Sequence, residues 1–293
     1  MPAPTSPRTE PVPHETRSSG TRSYVSQAAL IARPNLSWAW LDALDRLVTQ
    51  GGKAVNLTVV MPGDGGEDPG IRGALDGFIA ANPSAAQPVE TVAGTLFPND
   101  LYFPHLGERA APHLYATYRE AYPFLRQHPG NVHGTYFGRL VAWERPGDEP
   151  LNQLERVVER LRRELRGRGP KSSAYELSVV PAGGWDTELR VQRPDDTRLM
   201  GFPCLSHISL KLVDGQLHLC ALYRNQFFIQ RAYGNYLGLV RLLGFICHEV
   251  GCAPGEMLCL ATHADAERLG QARALVREAR TAQTLTDGED AGG

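Results

Sequence analysis

Long apolar runs are missing from this 293-residue chain. None approaches the roughly 20 residues that a membrane-spanning helix needs, so no membrane contact is expected. The N-terminus lacks the charged-then-apolar design of a secretory signal and is polar, rich in Pro, Ser and Thr. There is little excess of either charge: 30 Lys and Arg stand against 32 Asp and Glu, a formal net charge of -2. No global positive field therefore draws in nucleic acid. Cysteine is scarce and unpaired in pattern. Cys204, Cys220, Cys247, Cys252 and Cys259 are odd in number and show no zinc-type spacing, so no metal is expected. Cys247 and Cys252 are too far apart for a C-x-x-C redox pair. Thiols kept reduced in the cytoplasm are the expectation. No internal repeat is found.

With 42% hydrophobic and 21% charged residues, the chain suits one sizeable α/β domain or two small ones. Residues 1 to about 24 bury too little to order themselves, and residues 281–293 read as a second, acidic disordered tail. The domain then spans 25–280. Trp38, Leu41, Leu44, Leu47 and Val48 recur at helical spacing, stopped by Gly51-Gly52. Val55, Leu57, Val59 and Met61 alternate like a half-buried strand. A short helix is predicted from Ile71 to Ile79, then a Pro-bounded segment from Val89 to Phe97 and an aromatic stretch from Leu101 to Phe124. Leu154, Val157, Val158, Leu161 and Leu165 share a helix face. The arginines at that helix's end are expected to pair with Glu155, Glu159 and Glu164 rather than with nucleic acid. Tyr175–Val180 and Ile208–Val213 read as strands. Asp214-Gly215 marks a hairpin whose returning strand is Gln216–Tyr223. Tyr233–Val250 is apolar on most faces and so a buried helix, ended by Gly251. Ala264–Arg280 is predicted as a final polar helix.

The chemistry concentrates between Pro203 and Tyr236. A cysteine just after a proline at the mouth of a strand is fixed in direction. The hairpin carries Arg224 to the far end of the partner strand, where a guanidinium lowers a thiol pKa or binds an anion. Asn235 at the start of the helix offers one donor and one acceptor, the complement of an amide-like base edge. Taken singly, each is commonplace, and spacing alone favours a structural cysteine, a surface arginine and a helix cap.

The run Phe202-Pro203-Cys204-Leu205, Asp214-Gly215-Gln216-Leu217, Leu222-Tyr223-Arg224-Asn225 and Gly234-Asn235-Tyr236 resembles the catalytic half of thymidylate synthases. Their pattern is P-P-C-H, D-G-K-L, Y-Q-R-S and F-N. The separations of Cys204, Arg224 and Asn235 fit that pattern without a gap. Tyr136, Trp143 and Asn152-Gln153-Leu154 are similar to the family's Y-G…A-W…Q-I segment. The likeness covers about 140 residues, from Thr135 to near Glu267, and is weak before that.

The resemblance implies a mixed sheet with flanking helices, the sheets of two chains packing together in a homodimer. It implies that Cys204 adds to carbon 6 of a pyrimidine nucleotide and makes carbon 5 nucleophilic. Tyr136 joins the catalytic set. Arg224 and Asn225 match phosphate ligands, and Asn235 the reader of the base, with asparagine favouring uracil. Val89-Glu90-Thr91 with Asn99-Asp100 resembles H-E-L-L-W-F-L-Q-G-D-T-N. That makes Glu90 the expected acid/base, a buried carboxylate with a raised pKa; the alternative is a strand-edge charge facing water. His263 is the candidate sugar ligand, and Lys171 is what remains of the family's cross-dimer arginines. The implied one-carbon donor is 5,10-methylenetetrahydrofolate, giving a methyl or hydroxymethyl product. Several positions depart from the pattern. Leu205 replaces a histidine, Asn225 a serine, and Phe227 the aspartate that anchors the pterin. Three readings compete: a non-catalytic nucleotide- or partner-binding module on the same fold, a cytidylate hydroxymethylase, and a cysteine hydrolase, which no local histidine pattern supports.

Overall fold

The computed structural model describes residues 28–290, apart from 132, 146, 168, 170, 172 and 180–203. The expected N-terminal tail lies outside the described residues, as does Pro203. The elements are, in order, β1 (Ala29–Ala32), α1 (Leu36–Thr49), β2 (Lys53–Pro62), α2 (Pro69–Ala81), α3 (Val89–Leu96), α4 (Ala110–Leu125) and α5 (Tyr136–Val141). Next come β3 (Trp143–Arg145), β4 (Asp148–Leu151), α6 (Gln153–Leu165), β5 (Glu176–Ser178), β6 (Leu205–Val213), β7 (Gln216–Tyr223) and β8 (Gln226–Phe227). The chain ends with α7 (Tyr233–Val250), β9 (Ala253–Asp265) and α8 (Leu269–Asp290).

Seven strands form one mixed sheet in the order β1-β2-β9-β7-β6-β5, with β8 also paired to β9. The hairpin between β6 and β7 turns at Asp214 (φ 49°) and Gly215 (φ 78°). Two successive left-handed residues make the turn whose twist matches paired strands, as the Asp-Gly signal predicts. β7 and β9 run parallel and are joined by α7, which packs on the sheet. That packing explains why α7 is apolar on most faces: its residues from Tyr233 to Leu243 are buried except Arg241.

Three expectations are corrected. The final helix does not begin at Ala264. Ala253–Asp265 is instead a central strand, held by β2 on one side and β7 on the other. Its Ala- and Cys-containing core face (Met257, Cys259, Ala261) carries little strand signal of its own, and the pairing is tertiary. The segment 281–290 is helical, continuing α8, and Arg280 ion-pairs with Asp42 and Asp45 of α1. Val55 is exposed rather than alternating inward with Leu57. Asn56 takes a left-handed turn (φ 55°) that reverses the phase, so Ala54 is buried instead.

Leu57, Val59, Met257, Cys259, Leu219 and Ala221 are cross-strand neighbours on the buried face of the sheet. Thr58, Val60, Leu258, Leu260, Cys220 and Leu222 occupy the other face. Among the described residues these stay half-buried or exposed. No described helix is long and apolar enough to cross a membrane.

The helices are tied by contacts the sequence pattern does not announce. Arg162 of α6 donates to the backbone oxygen and carboxylate of Glu249 on α7, rather than pairing with a glutamate of its own helix. Glu249 is only 3% exposed and also accepts from the Tyr102 hydroxyl at 2.7 Å. α3 lies against the start of α7 because Gly234 and Gly238 leave room. A Cβ on Gly234 would stand 2.6 Å from Val92 Cβ, and one on Gly238 2.7 Å from the Ala93 carbonyl.

Candidate active site

The hairpin register fixes the centre of the site. From Val213–Gln216 to His207–Leu222 the strands pair without slippage, and one irregularity between Leu205 and His207 then shifts the register. Cys204 consequently faces Arg224, whose amide donates to the Cys204 carbonyl at 2.9 Å. Continuing the earlier register would have set Cys204 against Asn225. On the other side, the Cys204 amide donates to the Tyr136 hydroxyl at 3.2 Å. Tyr136 opens α5, whose start is capped by the Thr135 hydroxyl accepting from the Gly138 amide.

Cys204 opens onto a cavity of about 450 Å³ at the end of β7 where Arg224 emerges. Its walls come from Val92 and Thr95 of α3, from residues 129–131 and 133–136, and from Asn225, Gln226 and Phe227. Gln230, Arg231 and Asn235 complete it. No aspartate or glutamate is among these lining residues. A second cavity, of about 560 Å³, lies at the opposite end of β7, beside Gln216 and Pro254, and has no cysteine in its lining.

Opposing effects act on the thiol, and burial prevails. Burial pushes the Cys204 pKa up, while the guanidinium fields of Arg224 and then Arg231 pull it down. Burial likewise holds the Tyr136 phenol at about 12, so Tyr136 is protonated at neutral pH. With the Cys204 amide bonded to its oxygen, its own proton is available to donate. Asn235 sits in the first turn of α7, 3% exposed, and its Oδ1 has no partner among the described residues. A buried acceptor left unmade costs about 1–3 kcal/mol, which a ligand N–H would recover. Gln226 is similar: its Oε1 accepts from the Tyr236 hydroxyl, but its Nε2 has no described partner.

The remaining expected residues divide. Asn225 lines the cavity, and its Oδ1 lies 2.6 Å from His263 Nδ1. His263 is therefore behind Asn225, orienting it, and does not itself line the cavity. Arg224 also stands outside the lining; its carbonyl accepts from the Thr262 hydroxyl at 2.9 Å. Lys171 is exposed in the loop after α6. Its amide donates to Glu164 and to the Tyr175 hydroxyl, and within one chain it takes no part in the cavity.

Glu90 is a correction. Its side chain is 55% exposed on helix α3, which replaces the expected strand edge, and does not line the cavity. It accepts from Arg241 at 2.6 Å and from Arg72 at 3.2 Å. The Arg241 bond leads in holding its pKa below the ordinary carboxylate value, against the smaller effect of partial burial. A paired, ionised carboxylate on the outer side of α3 is the reverse of a buried proton shuttle.

Sequence reasoning passed over His133, Gln226, Gln230 and Arg231, all of which line the cavity. Gln230 and Arg231 belong to a π-helical turn, Phe228–Ala232, between β8 and α7. Such turns widen the backbone locally, often at functional sites, and have no simple periodicity to read. This one is tethered at its start. Trp40 Nε1 donates to the Phe228 carbonyl at 2.9 Å, and Glu267 Oε2 accepts from the Ile229 amide at 2.9 Å.

No family model matches the chain. It is 28% identical over 130 residues to proteins of Methanosarcina acetivorans, Methanosarcina barkeri and Methanococcoides burtonii that carry the provisional name thymidylate synthase. The relationship is a distant one. The matched stretch is 44% of this chain, and the chain spans about half the length of these relatives, 51%. A mixed sheet flanked by helices, as described above, is consistent with a thymidylate-synthase-like fold.

Proposed function

We propose that the chain is a thymidylate-synthase-like transferase that adds a one-carbon unit, methyl or hydroxymethyl, to carbon 5 of a uracil-type pyrimidine nucleotide. The observation that carries this reading is the meeting of Cys204 and the unpartnered acceptor of Asn235 on one cavity. The Cys204 sulfur adds to carbon 6, and the electrons of the C5=C6 bond move towards the ring carbonyl, leaving carbon 5 nucleophilic. Asn235 Oδ1 accepts the ring N3–H, which suits uracil better than cytosine. The Tyr136 hydroxyl, protonated at neutral pH and bonded to the Cys204 amide, is the proposed proton donor to the adduct. Arg224 offsets part of the rise that burial gives the Cys204 pKa and, from beside the lining, is the proposed phosphate ligand, with Asn225 steered by His263. The second sheet face, where Val60, Leu258, Leu260 and Leu222 stay half-buried among the described residues, supports a homodimer formed sheet to sheet. In that assembly Lys171 would serve the partner's site.

Methylenetetrahydrofolate is a poorer match. The donor-rich edge of a pterin calls for an acceptor carboxylate, and the described lining has none. Phe227 stands where the resemblance implies the anchoring aspartate. These residues do not fit a pterin held by that edge, and the carbon-5 activation described above does not depend on one.

Intact-mass measurement after incubation with 5-fluoro-deoxyuridylate or 5-fluorouridylate tests the reading. The expected result is one covalent nucleotide per chain, absent in Cys204→Ser, because a hydroxyl is a far weaker nucleophile than a thiolate. An unmodified wild-type chain would favour a binding module.

A further inference from the structure

Arginines elsewhere around α3 and α7 have their charge met. Arg72 and Arg241 are tied to Glu90, and Arg162 to Glu249. Arg231 differs. It lines the Cys204 cavity from the π-helical turn and is exposed, and no described residue pairs with its guanidinium. Among the described residues the lining holds no carboxylate that could neutralise it. Its field reaches both Cys204 and Tyr136, easing deprotonation of each. The turn that carries it is anchored at its start by Trp40 and Glu267, so the backbone from which Arg231 reaches the cavity is fixed before any ligand arrives. A guanidinium with no described partner, on a cavity wall whose described lining has no acid, suits a planar or tetrahedral oxyanion through paired N–H bonds.

We propose that Arg231 is an oxyanion-binding residue of the Cys204 cavity, supplied by the same chain, which receives the phosphate or carboxylate of the bound ligand. This deepens the proposed function, on which the nucleotide comparison below rests, while the anion site itself is testable without it. Iodoacetate and iodoacetamide both alkylate a thiolate by displacing iodide, and only the first carries a negative charge. Their relative rates at Cys204, followed by peptide mass, therefore report a nearby cation, and any change in thiol pKa cancels in the ratio. Arg231→Gln should lower the iodoacetate preference about fivefold, the size expected of one unit charge several ångströms away in a half-solvated site. Arg231→Lys should restore most of it. In the unsubstituted chain, inorganic phosphate should slow iodoacetate more than iodoacetamide.

The source of the oxyanion follows from protection. Stronger protection by uridine monophosphate than by uridine, lost in Arg231→Gln, assigns the site to a phosphate. Equal protection by the two uridines together with protection by glutarate assigns it to a carboxylate. An unchanged alkylation ratio in Arg231→Gln, or no selective effect of inorganic phosphate, overturns the proposal. Failure to form the fluorouridylate adduct, with the alkylation result intact, would instead remove the proposed reaction and leave the anion site standing.

Discussion

Glu267 holds the turn that carries Gln230 and Arg231, and it does so from a costly position. Its carboxyl accepts from the Ile229 amide, and desolvation, the leading effect, lifts its pKa from 4.5 to about 7. The other oxygen, Oε1, is buried without a described partner. Between pH 4.5 and about 7 the folded chain holds a proton that the unfolded chain has released. Stability therefore falls as pH rises through that window: the contribution is fully present below the unfolded value and lost above the folded one. At about 1.4 kcal/mol per pKa unit the shift corresponds to ~3 kcal/mol, and residual solvent contact reduces this to about 2 kcal/mol. Glu267→Gln keeps an acceptor for Ile229 and has nothing to ionise. Its stability relative to wild type should rise by about 2 kcal/mol from pH 4.5 to pH 8. Urea unfolding of both proteins across that range measures the difference. Parallel stability profiles would refute the argument, showing that Glu267 ionises in the fold as it does in the unfolded chain.

Two further outcomes bear on how the site is supported. Glu249→Ala leaves Arg162 and the Tyr102 hydroxyl without their shared acceptor. A loss of about 2–3 kcal/mol in urea unfolding is expected, at or below the usual range for breaking a buried pair because Arg162 is partly exposed; a loss under about 0.5 kcal/mol would show that water replaces the carboxylate. Gly234→Ala sets a methyl 2.6 Å from Val92 Cβ and 2.8 Å from the Val89 carbonyl. Pushing α3 away should cost about 1–3 kcal/mol and slow any Cys204 adduct, since Val92 is cavity wall. Wild-type stability and adduct rate together would mean that α3 gives way without consequence.

Much of the architecture was readable in order along the chain. Asp214-Gly215 specified its hairpin because only a left-handed pair closes that turn. The all-round apolar pattern of Tyr233–Val250 specified a buried helix with the bounds observed. Gly51-Gly52 marked the end of α1. The motif that brought Cys204, Arg224 and Asn235 to notice is likewise a property of sequence, since strand, turn and helix fix their spacing.

Tertiary structure decided the rest. β9 became a strand because β2, β7 and β8 pair with it, although Ala264 to Glu267 reads locally as the start of a helix. Glu90 went to the outside of α3 because Gly234 and Gly238 dock that helix with Val92 and Thr95 turned to the cavity, and because Arg72 and Arg241 wait on the other side. One register slip between Leu205 and His207 chose Arg224 over Asn225 as the neighbour of Cys204. Arg231 was invisible beforehand because a π-helical turn has no period to detect. Local propensity and spacing belong to the chain by itself. Which charges are paired and which are left facing a cavity depends on contacts between segments far apart in sequence.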